Sequence, residues 1–475
     1  MRRSIGKVIC FAVLWSAAAV GGAWAAEEPP AAPAVAPEQP APPPAPTIPA
    51  PLPPLAASVG APAYRVITGP LTVEQAVQIA REENRRLRSA RADVAEAQAA
   101  VSAMRAETRL RVSATAYGTT GTFDNILRSA PGVEPPNLIP VPRSSFGDLN
   151  LAAMYPLSTG GALASGVARS EALHQAAGAS RAALELTVAR QARTDFLAAL
   201  QADEVVKIYD DWVKAAGENV RVTRERYSVG KVPLFDLLRA QTDLADAIQQ
   251  LTTARNDREA ARVRLITTLG VDLASQPELV ASPDAEAPAP GLGEALAAAD
   301  AHRPELAEAA ARVRAEGQSI RRAEAAFRPQ VYAMAMQDVQ DGRAIDPRGG
   351  YTVGVVASLP VLDGGARRAD LAQATAANSR AEALREDLRQ QIRSEVAQAW
   401  LRVNTAEQNV RTSEAARAQA EENYRIAATR YETGKSIIVE LLDALTALTR
   451  ARTNVTNARY DRAIARVELQ RVVGK

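Results

Sequence analysis

The sequence has almost no side chains suited to metal binding or covalent catalysis. It contains one cysteine, Cys10, and two histidines, His174 and His302, which lie far apart and without acidic or thiol neighbours in a ligand pattern. Cys10 falls in an N-terminal leader, so the mature chain can form no disulfide and no thiolate metal site. A glycine-rich phosphate-binding loop is also missing. The sequence therefore predicts no enzyme, no cofactor and no metal site.

Long apolar runs are almost absent as well. A single run at about residues 8–20 follows three basic residues and precedes a small-x-small site, Ala23-Trp24-Ala25. This pattern predicts a cleaved signal peptide at residues 1–25, and the pair Arg2-Arg3 leaves twin-arginine export as an alternative. Cys10 lies too early for acylation, so we expect no lipoprotein. No later stretch of about 20 apolar residues predicts a membrane-spanning helix.

Proline is unevenly distributed along the chain. Residues 29–62 hold 14 of the 30 prolines, which predicts a Pro/Ala-rich linker at residues 26–69 that builds no core. Beyond the linker, arginine alternates with acidic residues, and the formal net charge of the whole chain is only +2, so nothing indicates nucleic-acid binding.

Two long tracts contain almost no proline. Pro233 is the only proline between Leu157 and Gln276, and none follows residue 361. Both tracts are rich in strong helix formers. Each predicts a helix of about 65 residues, starting at a Gly-Gly pair, and a returning helix of about 35. The longer helix would span roughly 100 Å, which a globular domain does not need.

The second half of the chain repeats the first. The segments RYSVGKVPLFDLL, from Arg226, and RYETGKSIIVELL, from Arg430, align at an offset of 204 residues. Over Arg226–Gly270 against Arg430–Gly474, 20 of 45 positions are identical. The repeat predicts two similar halves, residues 70–270 and 292–475, joined by a linker at 271–291 and related by a pseudo-symmetry axis.

Apolar residues recur every seven positions in the predicted returning helices and in the second long helix. This spacing places them on one seam of a coiled coil. The residues are Leu237, Leu244, Leu251, Leu441, Leu448, Val455, Val396, Val403 and Val410.

The only strand-like stretches lie at about residues 109–119, 145–156, 329–339 and 350–360. In the first half, a loop-like insertion of 15 residues lies within Gly121–Pro142. Three of the four stretches alternate clearly between apolar and polar residues, and each has the length of a tilted transmembrane strand. An ordinary half-buried soluble hairpin would show the same alternation.

If these strands cross a membrane, one chain is not enough. Four strands cannot close around a pore, and open strand edges are not tolerated in lipid. Three copies would supply a 12-stranded barrel. Cyclic symmetry would then arrange their helices as a 12-helix coiled-coil tunnel. The expected fold is mainly α with a small transmembrane β part.

The motifs in this order resemble the TolC family of outer-membrane efflux proteins over about residues 70–474. They are Tyr155-Pro156 and Gly160-Gly161, the segment LPVLDGG ending at Gly364-Gly365, and the repeated RY-x-x-GK turns. The resemblance implies a homotrimeric channel-tunnel embedded in outer-membrane lipid and extending into the periplasm. It also implies two partners, an inner-membrane pump and a periplasmic adaptor (membrane fusion protein).

The resemblance also implies roles for residues at both ends of the long helices. Swivels between strand and helix would lie at Pro156, Gly160, Gly161, Pro360, Gly364 and Gly365. Adaptor-docking tips would consist of Val229, Gly230, Lys231, Thr433, Gly434 and Lys435.

Acidic residues just beyond the tips are candidates for a pore constriction. Glu440 and Asp443 share one helix face, and Asp236 is equivalent to Glu440 in the repeat. These carboxylates either line a cation-attracting ring or favour the first helical turn through the helix dipole. By resemblance, Tyr431 would bond Asp236 to keep the tunnel shut, whereas the family's second latch residue, an arginine, is replaced by Ser436.

The preferred function is an outer-membrane exit duct of a tripartite efflux or type I secretion system, which conducts cargo passively. The alternative is a non-conducting coiled-coil scaffold of the cell envelope. Drugs, metal ions, proteins and polysaccharides all stay open as cargo.

Overall fold

The computed structural model describes residues 64–121, 144–280, 290–342 and 345–475. All of them belong to the second of two units into which the chain divides, Ala45–Lys475. The predicted signal peptide, the predicted linker before Tyr64 and nearly all of the predicted insertion lie outside the described residues.

Each half contains two short helices, two strands and a pair of long helices, in the same order. The first half consists of α1 (Val73–Glu83), α2 (Arg85–Ala106), β2 (Arg111–Gly121), β3 (Ser144–Ser158), α3 (Ala162–Ser228) and α4 (Leu234–Leu269). The second half consists of α5 (Leu292–His302), α6 (Pro304–Ala325), β5 (Gln330–Gly342), β6 (Ile345–Ser358), α7 (Ala366–Glu432) and α8 (Ile438–Val472). Two further strands, β1 (Thr68–Leu71) and β4 (Gln276–Leu279), flank the first half.

The two longest helices have the same length and the same kind of start. Helices α3 and α7 each contain 67 residues, which corresponds to about 100 Å. They begin after Gly161 and Gly365, whose φ angles of 100° and 92° place the N-cap in the left-handed region. Beyond the glycines, neither helix contains a proline. Both segments are rich in strong helix formers, so each helix continues to the next glycine turn.

Three clusters of buried side chains hold the helices together. One packs α1 against α3 and α4, and a second packs α5 against α7 and α8. The third, which we call the tip cluster, brings α3 and α4 of the first half against α7 and α8 of the second. All nine heptad positions expected from the sequence are buried, at residues 237, 244, 251, 396, 403, 410, 441, 448 and 455.

The four long strands form one antiparallel sheet in the order β2-β3-β5-β6. The register sets one row of apolar residues straight across it, Val112, Ala153, Ala335 and Val353. The adjacent row, on the opposite face, contains Ser113, Ala152, Met336 and Thr352. The first face is solvent-exposed at both edge strands, with Val353 75% exposed. In the described part of the chain, β2 and β6 each pair with one neighbour only.

The expectation that no other strands exist was wrong. Strands β1 and β4 pair in parallel, with Thr68 opposite Gln276 and Leu71 opposite Leu279. Strand β4 lies in the predicted linker 271–291, and β1 spans the boundary between the predicted linker 26–69 and the first half. Each of these strands has only four residues, one of them a proline (Pro70 or Pro277), and shows no alternation of apolar and polar residues. The pairing can therefore be recognised only in the folded structure, where segments about 200 residues apart lie side by side.

Among the residues that the structure describes, no helix is both long enough and apolar enough to cross a membrane.

Candidate functional site at the helical tips

Both long helices end in the same glycine turn. Gly230 and Gly434 have φ angles of 70° and 72°, a left-handed conformation that favours glycine. The lysine that follows each glycine makes a backbone hydrogen bond back across the turn. The backbone N–H of Lys231 donates to the carbonyl oxygen of Arg226, and that of Lys435 donates to Arg430, both at 2.8 Å. These are the hydrogen bonds of a Schellman-type helix end, so both tips are well-defined turns.

The residues predicted to dock an adaptor lie on the surface of these turns. Val229, Lys231, Thr433 and Lys435 are exposed. Both turns therefore present a backbone glycine beside an exposed lysine at equivalent places in the two halves. The docking role of the two turns stays a prediction.

The predicted carboxylates lie near the starts of the returning helices, Asp236 and Glu440 in the first turns and Asp443 one turn further along α8. Asp236 is half-buried in α4, and Glu440 and Asp443 are exposed on α8. Ser436, which occupies the position of the family's arginine, donates its hydroxyl hydrogen bond to the Glu440 carboxylate. The side chain of Ser436 therefore holds Glu440 locally, within one chain. A constriction role for the three carboxylates stays a prediction.

Tyr431 has a different partner from the one implied by resemblance. Its side chain is buried in the tip cluster, and its hydroxyl lies 3.3 Å from Oγ1 of Thr223 on α3. In the described residues, Tyr431 is not hydrogen-bonded to Asp236. The hydroxyl reaches the neighbouring long helix because Tyr431 points into the seam between the two halves.

Arg226 holds the same tyrosine and was not selected from the sequence. Its guanidinium lies over the Tyr431 ring, 4.6 Å from the centroid. Nη1 donates to the carbonyl oxygen of Tyr431 at 3.1 Å, and Nη2 donates to that of Glu432 at 3.3 Å. We call these contacts of Arg226 and Thr223 with the end of α7 the tip clamp. Arginine suits the position because its planar group can stack and donate in two directions.

A fourth carboxylate, Asp243 on α4, was also missed. One of its oxygens is buried without a hydrogen-bond partner in the described residues. The pKa of Asp243 is raised to about 6, mainly by burial and in smaller part by the charges of Asp246 and Asp443, against the opposite effect of Arg239. The charge of Asp443 on α8 thus reaches Asp243 on α4 and disfavours its ionised form.

The predicted swivels connect the sheet to the long helices. Pro156 lies in β3 next to a register shift, and Gly160 is so close to α6 that a Cβ would lie 2.8 Å from the Ala325 carbonyl oxygen.

Around the second predicted swivel, Gly364-Gly365, the Asp363 carboxylate accepts a hydrogen bond from Nε of Arg367 at 2.6 Å. The Arg367 contact and two backbone N–H donors lower the pKa of Asp363 to about 2. Pro360 precedes this cap in an exposed segment. Swivelling itself stays a prediction.

A model of the outer membrane efflux protein family matches the chain twice, over residues 76–271 and 295–475. The chain belongs to the outer membrane efflux protein family. The two matches coincide with the two halves, and the resemblance to TolC-like channels expected from the motifs is confirmed. Members of the family are outer-membrane efflux channels rather than enzymes.

Solved structures of outer-membrane channels have the same fold as this family member. The channel OprN matches with a TM-score of 0.72 at 24% identity, covering 85% of this chain and 89% of its own. CmeC of Campylobacter jejuni matches with 0.72 at 16%, covering 90% and 94%. The open state of MtrE of Neisseria gonorrhoeae matches with 0.70 at 20%, covering 90% and 97%. Comparison with curated proteins gave no match.

Proposed function

We propose that the chain is the outer-membrane exit duct of a tripartite efflux or type I secretion system. In this role a homotrimer conducts cargo passively from an inner-membrane pump and a periplasmic adaptor to the exterior. The observation that carries the proposal is the exposed apolar face of the four-stranded sheet, attached to helices of about 100 Å.

Lipid is the partner that fits this sheet face. The row Val112, Ala153, Ala335 and Val353 is apolar from edge to edge, and its edge residues are exposed. None of the three buried clusters in the described residues includes it. The opposite face is more polar, with Ser113 and Thr352 at the edge strands of one row and Thr115, Asn150 and Asp338 in the next. One apolar and one polar face is the pattern of strands that separate lipid from an aqueous lumen.

A trimer follows from the two edge strands. Strands β2 and β6 each have an open edge in the single chain, and lipid cannot satisfy their backbone groups. Pairing β6 of one copy with β2 of the next closes the sheet, and three copies provide twelve strands. Twelve strands leave a channel, whereas eight fill their interior with side chains. The long helices of three copies would continue it as a 12-helix tunnel.

The tips supply the contacts with the pump assembly. Each copy presents two exposed turns, Val229-Gly230-Lys231 and Thr433-Gly434-Lys435, so a trimer offers six equivalent turns to a periplasmic adaptor. Glu440 and Asp443 from three copies would form a ring of six carboxylates that attracts cations. Asp236 would add to this charge from the first half. Tyr431, whose ring is buried in the tip cluster, would support the constriction through packing.

A paired substitution in β6 tests the lipid-facing role. Val353→Arg places a charge on the apolar face, whereas Thr352→Arg places the same charge on the other face one residue away. A charge facing lipid costs about 2–4 kcal/mol near the membrane midplane. We expect Val353→Arg to deplete heat-modifiable trimers from the outer-membrane fraction and Thr352→Arg to leave them largely intact.

The alternative, a non-conducting envelope scaffold with soluble hairpins, predicts another outcome. Its sheet would tolerate both arginines alike, and the protein would be extracted from membranes without detergent. If both variants have the same effect and the protein is extracted without detergent, the duct proposal is wrong and the scaffold is favoured.

A further inference from the structure

The base of the sheet contains a close contact between the first half and the second half. Gly160, just before α3, lies against the end of α6, where a Cβ on it would be 2.8 Å from the Ala325 carbonyl oxygen and from Cβ of Arg328. Nη1 of Arg328 donates a hydrogen bond to the Gly160 carbonyl oxygen at 3.2 Å. We call this arrangement of one glycine, one helix end and one arginine the joint contact.

The internal repeat supplies the same groups a second time. Helix α2 and the start of strand β2 are equivalent to α6 and the start of β5 at an offset of 219 residues, so Arg109 is the counterpart of Arg328. At the offset of 204 residues, Gly364 is the counterpart of Gly160, and their φ angles are 64° and 63°. The chain therefore carries a second arginine and a second glycine at equivalent places.

Within one chain, this second set does not come together. Nothing lies within 4 Å of a Cβ built on Gly364, and the side chain of Arg109 is exposed. Ala325 at the end of α6 is 1% exposed, whereas its counterpart Ala106 at the end of α2 is exposed. The groups of a joint contact are thus present on two separate surfaces of the chain.

The same two surfaces continue along the helices. Next to the sheet, α3 packs between α2 and α6, whereas in the described residues α7 has only α6 as a neighbour of this kind. Ser165 and Ala172 of α3 are accordingly buried, and their counterparts Ala369 and Ala376 of α7 are exposed. A neighbour equivalent to α6 would cover this side of α7, and α2 is the equivalent helix.

The strands follow the repeat as well. In the first hairpin Arg111 pairs with Met154, and in the second hairpin the equivalent Gln330 pairs with the equivalent Ser358. Between the two hairpins, Met154 pairs with Met334. Because the register inside the hairpins is the same in both halves, the register between hairpins can be carried over by the same two offsets.

We propose that Arg109 of one copy binds the Gly364 carbonyl oxygen of a second copy, in a seam where Thr115 of the first copy pairs with Ser358 of the second. This proposal rests on the cyclic trimer of the proposed function. The Gly364 backbone then packs against the end of α2 of the first copy, and Ala106 becomes buried. Three joint contacts within chains alternate with three between copies around the base of the closed sheet.

The joint contact can recur between copies because its acceptor is a backbone oxygen. Further along the seam in one chain, Nε of Arg169 donates to Oγ of Ser319 at 3.0 Å, but the counterpart of Ser319 is Ala100. Arg314 also donates across this seam, and its counterpart is Ala95. Alanine side chains have no polar group, so these contacts do not recur. The seam between copies therefore depends more on Arg109 than the seam within the chain depends on Arg328.

Cysteine pairs test the register, because the predicted mature chain has no cysteine of its own. Directly opposite residues have Cα atoms about 4.5–5.5 Å apart, within reach of a disulfide, whereas a shift of two residues moves them out of reach. We expect Thr115→Cys/Ser358→Cys to form covalent dimers and trimers on mild oxidation, and Ser113→Cys/Ser358→Cys to form none. Met154→Cys/Met334→Cys, the equivalent pair within the chain, should oxidise without linking copies.

Two glycine substitutions test the close approach of the backbones. Gly364 and Gly365 have φ angles of 64° and 92° and open space around them in one chain, so alanine strains the backbone at both. Only Gly364 corresponds to a residue that touches α6, since a Cβ on Gly161 would also meet nothing within 4 Å. We expect Gly364→Ala to reduce the yield of heat-modifiable trimers about tenfold relative to Gly365→Ala.

Substitution of Arg109 tests the hydrogen bond. We expect Arg109→Ala to lower the temperature at which the trimer dissociates by about 5 °C, because three hydrogen bonds from a charged donor are lost. Arg86→Ala is the control, since Arg86 is exposed near the other end of α2. Far-UV circular dichroism should show the same helix content in both variants, so that a difference reports the contact between copies.

The outcomes separate this proposal from the function on which it rests. Trimers that conduct ions but link through positions 113 and 358 instead of 115 and 358 would overturn the register. Equal dissociation temperatures of Arg109→Ala and Arg86→Ala, or equal trimer yields of the two glycine variants, would overturn the joint contact between copies and leave the duct intact. A protein that never forms trimers would remove both proposals.

Discussion

Asp243→Asn should stabilise the protein at neutral pH and lose this advantage in acid. The carboxylate of Asp243 is largely buried on α4, near Asp443 of α8, and one of its oxygens has no hydrogen-bond partner in the described residues. Asparagine has almost the same shape but no charge. The substitution therefore removes the cost of burying this charge and of holding it near a second carboxylate.

The size of the effect follows from the pKa. Burial raises the pKa of Asp243 from 3.8 to about 6, so the folded protein binds the proton more tightly than the unfolded chain. The destabilisation is complete above about pH 6 and disappears as the pH falls toward the unfolded pKa near 4. A shift of about two units corresponds to roughly 3 kcal/mol at most. Because the side chain is only half-buried, solvent screening reduces it to about 1 kcal/mol.

Thermal unfolding of the purified protein at pH 7.5 and pH 4.5 measures this difference. We expect Asp243→Asn to raise Tm by about 1–2 °C at pH 7.5 and to match the wild type near pH 4.5. Asp257→Asn is the control, since Asp257 is exposed on the same helix. A lower Tm at pH 7.5, or an equal gain at both pH values, would refute the reasoning that buried charge at this position is costly.

Two further substitutions test the packing. Phe196→Ala should lower the free energy of unfolding by about 3–5 kcal/mol, because Phe196 is 1% exposed between α1, α3 and α4, whereas Phe235→Ala, at 66% exposure, should change it little. Gly270→Ala should cost about 1–3 kcal/mol, since φ is 77° and a Cβ would lie 2.9 Å from the Glu83 carbonyl oxygen. Gly291→Ala, with open space around it, should be tolerated. Denaturant unfolding measures all four, and a difference of less than about 1 kcal/mol within either pair would contradict the packing argument.

The large features of the fold are local in the sequence and could be predicted from it. Helices α3 and α7 start after a Gly-Gly pair and end at a glycine turn, with no proline between. Heptad residues such as Leu244 and Val403 are buried because their spacing keeps them on one seam. Because of the internal repeat, the elements predicted in one half support the same elements in the other half.

What the sequence did not show depends on contacts between distant segments. Strands β1 and β4 are too short to alternate, and only the pairing of Thr68 with Gln276 defines them. Asp243 resembles any other acidic residue of an exposed helix until the packing of the helices buries it. Arg226 was visible only as part of a tip motif, and its partner Tyr431 lies 205 residues away. The repeat also shows Arg430 at the position equivalent to Arg226, but the sequence alone does not show what either arginine contacts.

Ion conductance in a planar bilayer tests the central claim most directly. The wild type is compared with Glu440→Ala/Asp443→Ala and with the control Asp93→Ala/Glu96→Ala, which removes two exposed carboxylates of the same spacing from α2. A duct with its constriction at the tips predicts small cation-selective steps in the wild type and the control. It predicts larger, less selective steps in the tip variant. A protein that assembles as a trimer but conducts in none of the three forms would contradict the account and favour the scaffold.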